Sequence, residues 1–229
     1  MNLHGMGPVQ GFWGLLTDDE RAGLLDLGRI TVFSPGATMC VEGDPATHVF
    51  VLVDGWVKIL GVTSDGHEMV LALRGHGDTV GEVAGETTGY RTATVQAIGT
   101  VRALIVTYEK FSSFLGSHAR AGHAYRRMVT RRWNDAESEL RTRSVTSGAQ
   151  RLAGLLLDLA ERHGSGTNSE VRIALLLTQE ELASLTGASR ATVTRALSNW
   201  RQRGIIRTGQ RDITITDPRA LRRIADHRT

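Results

Sequence analysis

The sequence predicts an α+β chain: an N-terminal β-barrel or jelly roll, one long helix, and a C-terminal winged helix-turn-helix. Three observations carry that reading. Short apolar runs alternate with glycines from about residue 28 to 110. The apolar spacing then changes to steps of three and four over residues 109–143. Finally, two short capped helical segments meet at Gly187 within residues 178–197 and are followed by a hairpin pattern. The expected domain boundaries are 1–116, 117–143 and 144–229.

Thr17, with Glu20 three residues on, forms a capping-box pattern and starts a helix over residues 17–27. Strand candidates follow at Ile30–Phe33, Val49–Val53, Val57–Val62, Met69–Leu73, Thr92–Ala97 and Val101–Thr107. Each is short and bounded by turn residues, the pattern of a sandwich, barrel or jelly roll. Ser64-Asp65-Gly66 reads as a hairpin turn, because Asp-Gly suits positive φ.

On the long helix, Tyr125, Val129, Trp133, Ala136 and Leu140 form a single narrow apolar seam in an Arg-rich background. A narrow seam suits a partner helix, so a homodimer interface is expected there. The competing reading packs the seam on the protein's own barrel.

The C-terminal part opens with a core helix, Gln150–His163, whose Leu152, Leu155, Leu156 and Leu159 share a face. Gly164-Ser165-Gly166 begins an exposed loop that runs up to the next two helices. Thr178 and Glu181 cap the next helix, Gly187 supplies the turn, and Ser189 caps a second helix. Its inward face is Val193, Ala196 and Leu197; Arg190, Thr192 and Arg195 point the other way, toward phosphate or base edges. Residues 209–212 form the tip of a wing in which Arg207 and Arg211 could touch phosphate, and Pro218 opens a last helix.

Charge is segregated. The net charge of +3 hides 7 basic against 13 acidic residues in 1–116, 7 against 3 in 117–143, and 13 against 8 in 144–229. The basic rear favours double-stranded DNA as a partner. No apolar run is long enough to span a bilayer, and the first residues show no secretion leader, so a cytoplasmic protein away from the membrane is expected. The lone Cys40 rules out an internal disulfide and a four-cysteine cluster. No HExxH, Gly-x-Ser-x-Gly or Walker loop is present, so no catalytic residue and no metal site is expected.

An acidic barrel, a seam helix and a winged helix-turn-helix, in this order, resemble the CRP/FNR family of bacterial transcription regulators. In the barrel the likeness lies in Glu42-Gly43-Asp44, Val51-Leu52-Val53-Asp54-Gly55, Gly77-Asp78, and Gly81-Glu82-Val83 followed by Arg91-Thr92-Ala93. In the rear it lies in Gln150-Arg151-Leu152-Ala153, residues 178–183, residues 187–193 and Arg195-Ala196-Leu197. The resemblance implies a cyclic-nucleotide-binding-like barrel. Gly81 and Val83 would lie against the nucleotide, Glu82 would accept from the ribose hydroxyl, and Arg91 and Thr92 would hold the cyclic phosphate. It also implies DNA contacts from Ser189, Arg190, Ala191, Thr192 and Arg195, and recruitment of RNA polymerase.

Two positions depart from the family pattern. The base-reading pair on the long helix falls on Ala136 and Glu137, and the acidic DNA reader is Ala191. The functional expectation is a homodimeric regulator controlled by cyclic AMP. The same architecture with another cyclic nucleotide, a haem or redox signal, or no ligand stays open, and no cofactor is required.

Overall fold

The computed structural model describes residues 11–226 apart from 64, 67, 84–88, 144, 168–169, 175–176 and 210–211, and only the backbone of 139–143 and 162–163. Ser64, the side chain of Leu140, and Arg211 therefore lie outside the described residues. The chain divides into two compact units, Val9–Asn134 and Asp135–Thr229, the boundary falling inside the long helix.

The first unit begins with a 3-10 turn, Phe12–Leu15, and helix α1, Asp18–Asp26. The α1 capping box forms as the sequence implies: Thr17 N donates to Glu20 Oε2 at 2.8 Å and Glu20 N to Thr17 Oγ1 at 3.2 Å. Eight strands follow: β1 Arg29–Phe33, β2 Thr38–Cys40, β3 His48–Asp54, β4 Val57–Val62, β5 Glu68–Arg74, β6 Thr79–Val80, β7 Thr94–Ala97 and β8 Val101–Thr107. They make two antiparallel four-stranded sheets, in the orders β1-β8-β3-β6 and β2-β7-β4-β5. Of the two architectures expected, this is the jelly-roll arrangement. The two strands not anticipated, β2 and β6, are three and two residues long, too short for alternation to register.

Strand β3 shows why a continuous apolar run was needed. Phe50 and Leu52 point between the sheets, beside Met39, Val57, Val80, Val95, Val101 and Ala103. Val49 and Val51 point the opposite way, into a second core with Phe12, Leu24, Phe111, Phe114, Ala124 and Met128. Both faces of the strand are buried, so both alternating sets must be apolar. Each such side chain contributes about 1.5–3 kcal/mol of burial.

The residues with helical spacing over 109–143 form two helices. Helix α2, Tyr108–Ser117, ends at His118, whose backbone is non-helical, and α3 runs from Ala119 to Arg143. The His118 amide still bonds Phe114 O at 3.0 Å, while its ring stacks on Phe114 with centroids 4.3 Å apart. The inward stripe of α3 is Ala121, Ala124, Tyr125 and Met128. Tyr125 was assigned to the dimer seam. It is only 7% exposed, with its ring edge-on to Phe111 at 5.7 Å and Phe12 at 6.3 Å. An aromatic ring so enclosed belongs to the protomer's own core. Val129 and Trp133 stay outside, Trp133 at 73% exposure, and Ala136 is exposed.

The second unit contains α4 Gly148–His163, β9 Ser165–Thr167, β10 Glu170–Ile173, α5 Gln179–Thr186, α6 Arg190–Gln202, β11 Ile206–Thr208, β12 Ile213–Ile215 and α7 Pro218–Asp226. Its four strands form one antiparallel sheet in the order β11-β12-β10-β9. Residues 165–166, expected in a loop, are thus the start of a strand. Glycine and serine have low strand propensity, and only pairing with β10 makes them extended.

Candidate ligand pocket and nucleic-acid interface

The candidate ligand site is assembled from the turn after β6 and the segment before β7. Gly81 has φ +84°, and a Cβ there would lie 2.1 Å from Arg91 Nη1, so only glycine lets the guanidinium lie against the backbone. Arg91 Nη1 donates to Gly81 O at 3.1 Å. The Arg91 backbone is stitched to the 42–46 loop: its N–H donates to Asp44 O and its carbonyl accepts from Gly43 N, both at 2.8 Å. Below it, the guanidinium carbon sits 5.6 Å from the Phe50 ring centre.

Glu82 and Arg91 are each 3% exposed, and they are not paired with one another. The partner of Glu82 is a residue that sequence reasoning missed. Arg132 Nη1 donates to Glu82 Oε1 at 2.7 Å, and its Nη2 to Asp78 Oδ1 at 3.1 Å and Thr79 O at 3.0 Å. A signal existed: Arg132 continues the stripe 121, 124, 125, 128, so a cation there points inward. One further atom of each buried group, Glu82 Oε2 and Arg91 Nη2, has no hydrogen-bond partner among the described residues. A buried orphan costs about 1–3 kcal/mol, more when charged. One is an acceptor and the other a donor, so a ligand carrying both a hydroxyl and an anion would satisfy them.

Val83 is 49% exposed and Thr92 is exposed, so both can meet a ligand from the solvent side. Residues 84–88 lie outside the described residues. Ala136 and Glu137 are exposed, in the second unit.

Two neighbours are electrostatically tuned. Burial pushes the Cys40 thiol up, against the pull of Arg91. Burial, then Arg91 and Arg29, hold His48 below its ordinary value of 6.5. The folded state therefore binds fewer protons than the unfolded state below about pH 6.5, and His48 costs stability as pH falls through that range. His48→Gln is expected to flatten the pH dependence of the thermal midpoint between about pH 6.5 and 5; an unaltered profile would remove His48 from the account.

In the second unit, Gly187 takes the left-handed conformation, φ 57°, between α5 and α6. Ser189 Oγ accepts from Thr192 N at 3.1 Å and lies 2.9 Å from Thr192 Oγ1, so both hydroxyls are engaged at the cap. Val193, Ala196, Leu197 and Trp200 are buried, while Arg190, Ala191 and Arg195 are exposed. Arg190 has Glu180 at 3.9 Å, both side chains over 70% exposed, a pair water screens strongly.

The wing strands differ from expectation. Arg207 Nη2 is ion-paired with Glu170 on β10, and Arg172 with Asp212 at 2.6 Å. Glu170 therefore competes with any phosphate for Arg207 Nη2. Glu170→Gln is expected to steepen the log–log salt slope of DNA binding by about 0.9 per phosphate contact released; an unchanged slope would show that Arg207 does not reach DNA.

Comparison with known proteins identifies both parts of the chain. A cyclic nucleotide-binding domain family matches residues 30–118, and a Crp-like helix-turn-helix domain family matches 150–224. The chain is 33% identical over 193 residues to the CRP-like cAMP-activated global transcriptional regulator of Mycobacterium tuberculosis, covering 84% of this chain and 86% of that protein. The chain belongs to the CRP/FNR family. It is also 27% identical to the cyclic AMP receptor protein of Thermus thermophilus, over 93% of this chain and 95% of that one. The solved structure of FixK2 from Bradyrhizobium japonicum has the same fold, with a TM-score of 0.75 at 21% identity, covering 88% of this chain and 99% of that one. As a CRP/FNR member, this chain is a helix-turn-helix transcription regulator and not an enzyme. Among the described residues, no helix is long and apolar enough to cross a membrane, and no three His, Cys, Asp or Glu side chains are grouped to hold a metal.

Proposed function

We propose that this regulator acts in the cytoplasm as a homodimer whose affinity for a near-palindromic DNA site, and so its recruitment of RNA polymerase, is set by a cyclic nucleotide, cyclic AMP first, in the Gly81–Thr92 pocket. The observation carrying the proposal is the pair of buried, partnerless atoms, Arg91 Nη2 and Glu82 Oε2. Arg91 would take the cyclic phosphate with Thr92, Glu82 would accept from the ribose hydroxyl, and Gly81 and Val83 would line the sugar. A planar guanidinium suits phosphate oxygens.

Arg132 gives the pocket a mechanical outlet. It touches Glu82 from α3, and the next residue, Trp133, is exposed on the outer seam with Val129 and Ala136. A ligand that redistributes the Glu82–Arg132 contact biases the helix that carries the proposed dimer seam. Coupling requires that ligand affinity differ between the two settings of the dimer.

Ala136 and Glu137, where family members read adenine, favour a second reading: the same pocket serving a different base, or a dimer that needs no ligand. Calorimetric titration with cyclic AMP, cyclic GMP and cyclic di-GMP, followed by DNA affinity with and without the binder, decides between them. The proposal expects cyclic AMP to bind and to tighten DNA binding. Ligand binding with unchanged DNA affinity would reject the allosteric link, and no binding at all would leave the ligand-free reading.

A further inference from the structure

Arg151 lies in the first turn of α4, and its guanidinium bridges two separate stretches of backbone through three carbonyls. Nε donates to Thr186 O at 2.6 Å, Nη2 to Gly187 O at 3.0 Å, and Nη1 to Thr146 O. Thr146 is in the segment entering α4; Thr186 is the last residue of α5; Gly187 is the left-handed residue that turns the chain into α6. The carbonyls at a helix C-terminus lack intrahelical partners and sit at the negative end of its dipole, where a cation is favoured.

A second observation fixes the same joint. A Cβ on Gly148 would lie 2.7 Å from Ala188 Cβ and 3.2 Å from Thr192 Cγ2. The start of α4 is therefore in direct contact with the turn and with the first turn of α6. That start is itself rigid, because Ser147 and Gln150 form a capping box, with Ser147 N donating to Gln150 Oε1 at 2.6 Å and Gln150 N to Ser147 Oγ at 3.3 Å.

We infer that Arg151 is a positioning residue for DNA reading: its three carbonyl bonds, with the close approach at Gly148, set the angle at which α6 leaves the turn. Any displacement of the segment at Thr146 is thereby passed to Ser189 and Arg190 rather than absorbed in the turn. A lysine cannot replace it, since an ammonium is a point donor and not a planar fork aimed at three acceptors. The inference rests on α6 being the reading helix, and Arg195→Ala serves as the control that separates the two claims.

The test compares affinity for a site selected from random duplexes with affinity for a random duplex, using the full chain at a temperature where every variant is folded. Arg151→Gln and Arg151→Lys are each expected to lower that ratio about tenfold or more, while non-specific, phosphate-driven affinity changes little. Gly148→Ala is expected to lower the ratio as well and to shift the amide resonances of Gly187, Ser189 and Thr192. A purely structural role would lower the thermal midpoint and leave the ratio of the folded protein unchanged. An unchanged ratio in folded Arg151→Gln, or full rescue by lysine, overturns the inference. Should Arg151→Gln fail to fold, Arg151→Lys and Gly148→Ala decide it by the same ratio. If Arg195→Ala leaves the ratio unaltered, the reading-helix assignment fails instead.

Discussion

Arg91→Met is expected to abolish ligand-dependent stabilisation of the first unit while leaving the ligand-free protein folded. The guanidinium is 3% exposed, rests on Phe50 and spends one nitrogen on Gly81 O, with Nη2 lacking a partner. Methionine loses the bond to Gly81 O but removes a desolvated charge, so two terms oppose each other and the ligand-free midpoint should move little. Ligand binding has no such compensation. A charge-assisted hydrogen bond contributes about 1.5–3 kcal/mol, and its loss together with the positive charge should weaken cyclic AMP about 100-fold. At a concentration of about 100 times the wild-type Kd, the wild type gains about 2.7 kcal/mol from ligand and the variant about 0.4. Thermal melts with and without cyclic AMP measure this. A variant stabilised as much as wild type would mean that the phosphate is held elsewhere.

Arg195→Ala is expected to remove most sequence preference. Arg195 is exposed one helical turn beyond Ala191, so the two share a face of α6. With no carboxylate at Ala191, arginine would supply the bidentate guanine contact on this face, worth about 1–3 kcal/mol of discrimination at each half-site of the proposed dimer. Two half-sites give a loss on the order of 30-fold or more in specific affinity. Affinity for random duplex should fall far less. A binding titration on both duplexes checks the prediction, and equal losses on the two would reduce Arg195 to a phosphate contact.

Much of the architecture was legible because it follows local rules. The capping boxes at Thr17 and Thr178 and the left-handed Gly187 are set by residues three or four apart, and they form as expected. The buried face of α6, Val193, Ala196 and Leu197, was readable from helical period alone. The long apolar runs of β3, β4 and β8 announced strands, while β2, β6 and β9 did not. Those strands are two or three residues long and owe their extension to partners 15 or more residues away or, for β9, to β10.

The candidate pocket was legible in part. Glu82 and Arg91 were chosen by resemblance, and the structure buries both beside Gly81. Their partners were not apparent. Glu82 meets Arg132, 50 residues along, instead of Arg91, and no local pattern encodes that separation. The wing arginine Arg207 has the same history, for its counter-ion Glu170 lies 37 residues away in a stretch read as loop.

By itself, then, the sequence determined the order of the longer elements, the helix caps and the buried face of α6. Those features depend on neighbours within a helical turn or on the alternation of a strand. Only the tertiary structure decided that Tyr125 closes the core of the first unit, that Arg132 occupies one oxygen of Glu82, that Arg207 is held by Glu170, and that Arg151 ties the entry of α4 to the turn between α5 and α6. Each of these joins groups distant in sequence. A charged side chain's partner is chosen by which carboxylate or carbonyl the packing brings within about 3 Å, and that choice is made only once the sheets and helices have been assembled.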